Sequence, residues 1–184
     1  MSTLGYGAEA PAYTVVARTL HWLTAVLVII MIPIGIVMAN VDLGSGGDAL
    51  YDIHRSIGAI LIPLVLVRLA YRLTNPPPPL PDDIPAIQQL AASLTHWALY
   101  ALLIIQGFIG WIATSAYRAP IKVFWLFELP PIWPVDQAFS EKMFGVHKLL
   151  GIAVALLICM HIGAALFHHF VRKDGVLMRM FGGL

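Results

Sequence analysis

Seven histidines stand in a chain of 184 residues that is 59% hydrophobic and only 11% charged: His21, His54, His96, His147, His161, His168 and His169. An imidazole in apolar surroundings is costly unless it is hydrogen-bonded or bound to a metal. Ionisable side chains in such surroundings therefore mark candidate sites. His147 and His161 lie 14 residues apart. On an α-helix that is about 40° short of four turns, so both rings project from nearly one face, with a rise of about 21 Å between them. Neutral imidazole is the usual axial ligand of an iron porphyrin held without covalent attachment. The single cysteine, Cys159, excludes an internal disulfide, a Cys-x-x-Cys-His haem attachment and a cysteine zinc cluster.

A second pattern surrounds two of the histidines. His54-Arg55-Ser56-Ile57-Gly58 and His147-Lys148-Leu149-Leu150-Gly151 both read histidine, cation, two residues, glycine. A glycine four residues on lies beside the histidine on a helix surface. Gly58 and Gly151 thus remove side chains that would collide with a flat macrocycle. Arg55 and Lys148 are placed to face its carboxylates.

Four elements must position these residues. About 20 apolar residues make a helix that crosses a bilayer. The sequence predicts four such spans, at about 14–40, 52–73, 93–117 and 144–172, forming one transmembrane domain. The second is the least clean, with only 12 uncharged residues between Arg55 and Arg68. Both arginines then lie near span ends and snorkel. The runs lack the alternation of barrel strands, so the expected fold class is an all-α membrane protein, a four-transmembrane-helix bundle. The first span is not read as a signal peptide, because no basic segment precedes it and no small-residue cleavage site follows.

The connections are read as an acidic loop at 42–52, a proline-rich stop at 74–85, a short interfacial helix before the third span and a long aromatic cap at 118–144. A net charge of +1 without a basic run argues against nucleic acid as a partner; membrane lipid is the expected surroundings. With both termini cytoplasmic, Arg18, Arg68, Arg72, Arg172, Lys173 and Arg179 fall inside, and Arg55, Arg118, Lys122, Lys142 and Lys148 outside. The three aspartates of the first loop favour the outside for that loop.

This topology puts His21, His96 and His161 toward the cytoplasmic side, and His54 and His147 toward the other. Matching depths gives two haem sites, His21 with His161 and His54 with His147. Rival choices remain on spacing alone. His96 lies at the depth of His21, in Thr95-His96-Trp97 against Leu20-His21-Trp22, and His168 follows His161 on nearly the same face. His168 would set the two ligands of the fourth span about 31 Å apart, almost the whole bilayer. His169 reads as the surface member of its pair.

The segments ARTLHWLTAVLV, YDIHRSIGAILIPLVLVRLAYRL, THWALY, GVHKLLG and HIGAALFHHFVRKDGVLMRM together resemble the bacterial cytochrome b561 family, dihaem membrane cytochromes, over nearly the whole chain. The resemblance implies ligands at His21, His54, His147 and His161, paired as above. It implies two b-type haems in an inner membrane, ubiquinone as an electron acceptor and, for some members, superoxide as the donor. Arg18, His96, Trp97 and His168 are candidates to meet the quinone or the haem carboxylates. The leading expectation is a quinone-linked oxidoreductase. The alternatives are a membrane subunit carrying electrons for a separate dehydrogenase or hydrogenase, and a haem-free metal transporter.

Overall fold

The structure, a computed structural model, describes residues 12–42, 44, 47–81 and 83–182. Residues 43, 45, 46 and 82, within two of the expected loops, lie outside the described residues. The chain is a bundle of four long helices: α1 Val15–Asn40, α2 Gly47–Thr74, α3 Ala86–Tyr117 and α4 Gln137–Phe167. Each is long and apolar enough to cross a bilayer. A small antiparallel hairpin, β1 Ile121–Val123 and β2 Phe127–Leu129, lies between α3 and α4. A π-helical turn at His168–Arg172 and a 3₁₀ turn at Met178–Met180 follow α4. We call the end of the bundle where α1 begins the near face, and the opposite end the far face.

The helices outrun the apolar stretches that predict them. α2 begins at Gly47, inside the expected acidic loop, and the expected interfacial helix is continuous with α3 from Ala86. Nothing after Pro85 breaks the helical backbone, because no further proline occurs before Tyr117. α4 begins at Gln137, where Asp136 caps it by accepting from the Phe139 amide at 3.0 Å. Thr14 caps α1, accepting from the Ala17 amide at 3.2 Å. Pro33 and Pro63 sit inside α1 and α2. They free the carbonyls of Ile29 and Ala59, which a helix within a membrane bundle tolerates.

Small residues bring the helices together. Ala113 and Ala116 of α3 are fully buried, and the Ser140 hydroxyl of α4 donates to the Ala113 carbonyl at 2.9 Å. Between α2 and α3, a Cβ on Gly107 would stand 2.6 Å from Cγ1 of Ile62, so only glycine permits that approach. α1 packs on α2, α2 on α3 and α3 on α4. Leu149, Ile152, Leu156 and Met160 of α4 recur at helical spacing and are exposed, as a lipid-facing stripe is.

The aromatic segment expected as a cap contains the hairpin, pinned to α2. The Ser56 hydroxyl accepts from the Phe124 amide at 2.9 Å and lies 3.0 Å from the Lys122 carbonyl. Phe124 and Trp125 hold the turn with φ of 46° and 61°. The loop has three residues, since Val123 pairs with Phe127, and the Leu126 amide closes the turn onto the Val123 carbonyl at 3.0 Å; its left-handed positions are filled by bulky residues that disfavour them.

Gly107→Leu should force α2 from α3. The expected outcome is a melting temperature several degrees lower for the detergent-solubilised protein, followed by circular dichroism.

Candidate functional histidine layers

α1 and α2 run antiparallel, as do α3 and α4, so residues far apart in sequence share a depth. In the near layer, His21 of α1 and His161 of α4 have ring centres 6.3 Å apart. His96 of α3 lies 5.3 Å from His161. Arg68 of α2 donates to Nδ1 of His21 at 2.7 Å and lies over the Tyr100 ring at 5.1 Å. Arg72, one turn nearer the face, lies 5.8 Å over both Trp97 and Tyr100. Neither guanidinium has a carboxylate within 4.0 Å among the described residues.

In the far layer, His54 of α2 and His147 of α4 have ring centres 6.1 Å apart. Nδ1 of each is buried and has no hydrogen-bond partner among the described residues. Such an atom is costly to leave unmade. Gln106 donates to the His147 carbonyl at 2.9 Å.

The ring spacing is informative. A metal–imidazole bond is about 2 Å long, so two rings facing one ion with their nitrogens inward have centres roughly 6 Å apart. His21–His161 and His54–His147 match that spacing, and His96–His161 is closer than it. Glycines cradle the far rings. A Cβ on Gly35 of α1 would lie 3.4 Å from Cε1 of His54, and one on Gly110 of α3 would lie 3.0 Å from Cε1 of His147. The residues present therefore fit a porphyrin iron held between histidines: imidazole donors in facing pairs, buried unpartnered nitrogens, and a cradle that a side chain would fill.

The two layers share one register. His21 and Gly35, His54 and Arg68, His96 and Gly110, and His147 and His161 are each 14 residues apart. Every helix thus contributes one residue to each layer, about 21 Å apart. On α4, Val154 lies midway between the two histidines and is buried.

The remaining expected residues have different surroundings. Gly58 and Gly151 face Met31 and the Gln106 side chain, at 3.6 and 3.3 Å from a Cβ built on each. Arg55 reaches Asp52 at 3.7 Å and the Pro120 carbonyl at 3.4 Å. Lys148 is exposed, and Trp97 is half-exposed beside Arg72. Arg18 lies at the start of α1, beside the C-terminal turn. His168 is engaged by Asp174 at 2.5 Å, and Arg172 joins Asp174 to Asp83. His169 lies against Phe170, with ring centres 4.7 Å apart.

Sequence reasoning missed Arg68, Arg72, Tyr100, Gln106, Gly35 and Gly110 as members of the layers. The glycines were findable, each 14 residues beyond a histidine. In the sequence Arg68 reads as an interruption of the second span and as a cation of the cytoplasmic side.

The chain matches a family model described as prokaryotic cytochrome b561 over residues 12–183. It is 36% identical over 172 residues to cytochrome b561 homolog 2 of Escherichia coli (strain K12), covering 92% of this chain and 91% of that protein. It is 30% identical over 174 residues to a Yersinia pestis protein named probable superoxide oxidase CybB, covering 91% and 94%. It is also 30% identical over 189 residues to cytochrome b562 of Cereibacter sphaeroides, covering 94% and 96%.

Two outcomes follow from the geometry. Gly110→Val should displace the His147 ring and lower the haem bound per chain, measured by pyridine haemochrome against protein mass. Burial raises the Asp174 pKa, but hydrogen bonds from His168, the Val176 amide and Arg172 outweigh it and hold the carboxyl below the usual range. Its stabilisation is therefore present above the unfolded value of about 3.9 and is lost as pH falls through the folded one. Asp174→Asn should lower thermal stability at pH 7, and the difference from the parent chain should shrink below about pH 4.

Proposed function

The chain belongs to the prokaryotic cytochrome b561 family, and from that premise we propose that it holds two b-type haems, at His21–His161 and at His54–His147, and links a far-face electron donor to ubiquinone. Family membership brings multi-pass membrane electron transfer by b-type haem. The observation that carries the proposal is the two pairs of facing rings, 6.3 and 6.1 Å apart, one pair in each layer.

Bound b-type haem supplies exchange of single electrons at its iron. Each histidine pair would hold one haem iron and leave it no open position, which would suit electron relay rather than ligand binding. Were His21 to hold iron through its other ring nitrogen, its proton would sit on Nδ1, which would then no longer accept from Arg68. Arg68 needs another acceptor, and a haem carboxylate provides one; Arg72 and His96 stand beside it. His96 is thus read as a neighbour of the near haem rather than its ligand.

Both termini are read as cytoplasmic, which makes the far face periplasmic in a bacterial inner membrane. Arg55 and Lys148 lend positive potential there and attract a small anion such as superoxide. The proposed net reaction takes two superoxide ions, one ubiquinone and two protons to two dioxygen molecules and one ubiquinol. The name of the Yersinia pestis relative agrees with this reading. A second reading has the chain as the membrane subunit of a separate dehydrogenase or hydrogenase. The exposed hairpin tip at Trp125, Leu126 and Phe127, tied to α2 close to His54, favours it by offering an apolar contact to a protein donor.

The purified chain should show bis-histidine b-haem bands in a reduced-minus-oxidised spectrum, with two haems per chain and one in His161→Ala. Retention of two in that variant would sink the ligand assignment. Superoxide generated in the presence of ubiquinone should yield ubiquinol; none formed by the haem-loaded protein would remove the stand-alone reading and leave the subunit.

A further inference from the structure

A groove of about 650 Å³ runs between the start of α1 and the C-terminal turn, bounded by Arg18, Trp22, Leu23, Val26, Met180 and Phe181. We propose that this groove binds the quinone head at the near face, with Arg18 donating to a ring carbonyl and Trp22 and Phe181 lying against the ring. The proposal rests on the quinone-linked reading above and gives it a location.

The groove has the polarity of a quinone. Its volume falls within the roughly 300–1,000 Å³ of small-molecule sites. At its interfacial end stands the Arg18 guanidinium, a charged hydrogen-bond donor, close beside Gly182. Toward the bilayer interior, Leu23, Val26 and Ile30 continue from it along α1, each about half-exposed to lipid. Their spacing makes a helical stripe on which an isoprenoid tail lies.

The aromatic wall is built and held. Trp22 Nε1 donates to the Met180 carbonyl at 3.0 Å, which pins the C-terminal turn to α1. Its ring lies 4.9 Å from that of Phe181. The Tyr13 amide donates to the Arg179 carbonyl at 3.2 Å, a second tie between the same segments.

The feature that favours quinone over an ordinary lipid is the other edge of Trp22. Its indole meets the His21 ring edge-on, with centres 5.2 Å apart. One aromatic side chain therefore separates the groove from a histidine of the near layer. A phospholipid gains nothing from that neighbour, whereas a redox-active ring needs it.

The test uses haem-loaded protein in lipid nanodiscs and a photoreactive azido-ubiquinone with a short isoprenoid tail. Label should map to residues 15–26 or to Met180 and Phe181, and excess ubiquinone should suppress it while excess phosphatidylglycerol should not. Arg18→Ala should weaken labelling about tenfold, as loss of a charged hydrogen-bond donor does. Arg18→Lys should restore part of it, and both variants should keep the haem spectrum. Phe181→Ala, at an exposed position, should also weaken labelling. Label that ubiquinone suppresses at another segment overturns the groove and spares the quinone reading. The absence of ubiquinone-suppressible label anywhere overturns both. Suppression by phosphatidylglycerol makes the groove a lipid site, and loss of the near haem in Arg18→Ala makes Arg18 a haem residue; either result overturns the proposal.

Discussion

The interaction on which the rest depends is the meeting of side chains at matched depth across antiparallel helices. A step of 14 residues, about 21 Å of helix, separates the two layers on every helix. That step is close to a whole number of turns, so a residue that faces the interior in one layer faces it again in the next. Helix length and loop placement then have one task, which is to keep the four registers aligned. The Ser140 bond to Ala113 does this between α3 and α4, and the close approach at Gly107 does it between α2 and α3.

The layers solve different problems with the same spacing. In the far layer the partners of the histidines are glycines, Gly35 and Gly110, which concede room to the rings. In the near layer the corresponding positions on α2 and α3 are Arg68 and His96, and the ring partners are polar or charged. The hairpin closes the far end through Ser56. The near end is closed by ties that cross the sequence: Thr14 to Tyr71 at 2.9 Å, Arg172 to Asp83 at 2.9 Å, and Tyr13 to the C-terminal turn.

Much of this was legible in the residues. Apolar runs announced four helices, and the 14-residue spacing on the fourth placed two histidines on one face. Helix ends were less legible, because backbone capping by Asp136 and an unbroken run after Pro85 decide them, not hydropathy. Gly58 and Gly151 were sought because they follow histidines in sequence. The glycines that touch the rings come from neighbouring helices, and only three-dimensional packing pairs those. On spacing, His96 and His168 stayed rivals to the expected ligands, the step of about 31 Å counting only weakly against His168. In the structure His96 stands among rings and guanidiniums, while His168 is held by Asp174.

The least regular span is also the one whose irregularity has a physical reason. An arginine at the centre of a membrane helix costs about 2.5–3.5 kcal/mol on insertion scales. A hydrogen bond from a charged donor contributes about 1.5–3 kcal/mol, and a cation–aromatic contact about 0.5–2 kcal/mol. In the chain without haem, the bond from Arg68 to His21 and its place over Tyr100 are therefore of the right size to hold it in the bilayer, and a haem carboxylate would replace the histidine as acceptor once His21 held iron. Arg72, a turn closer to the surface, needs less and rests on Trp97 and Tyr100. Both guanidiniums stand beside the near histidines with no carboxylate within 4.0 Å among the described residues. A carboxylate in the bundle would have made the span cheaper to insert and would have cancelled the field that an incoming anionic group meets.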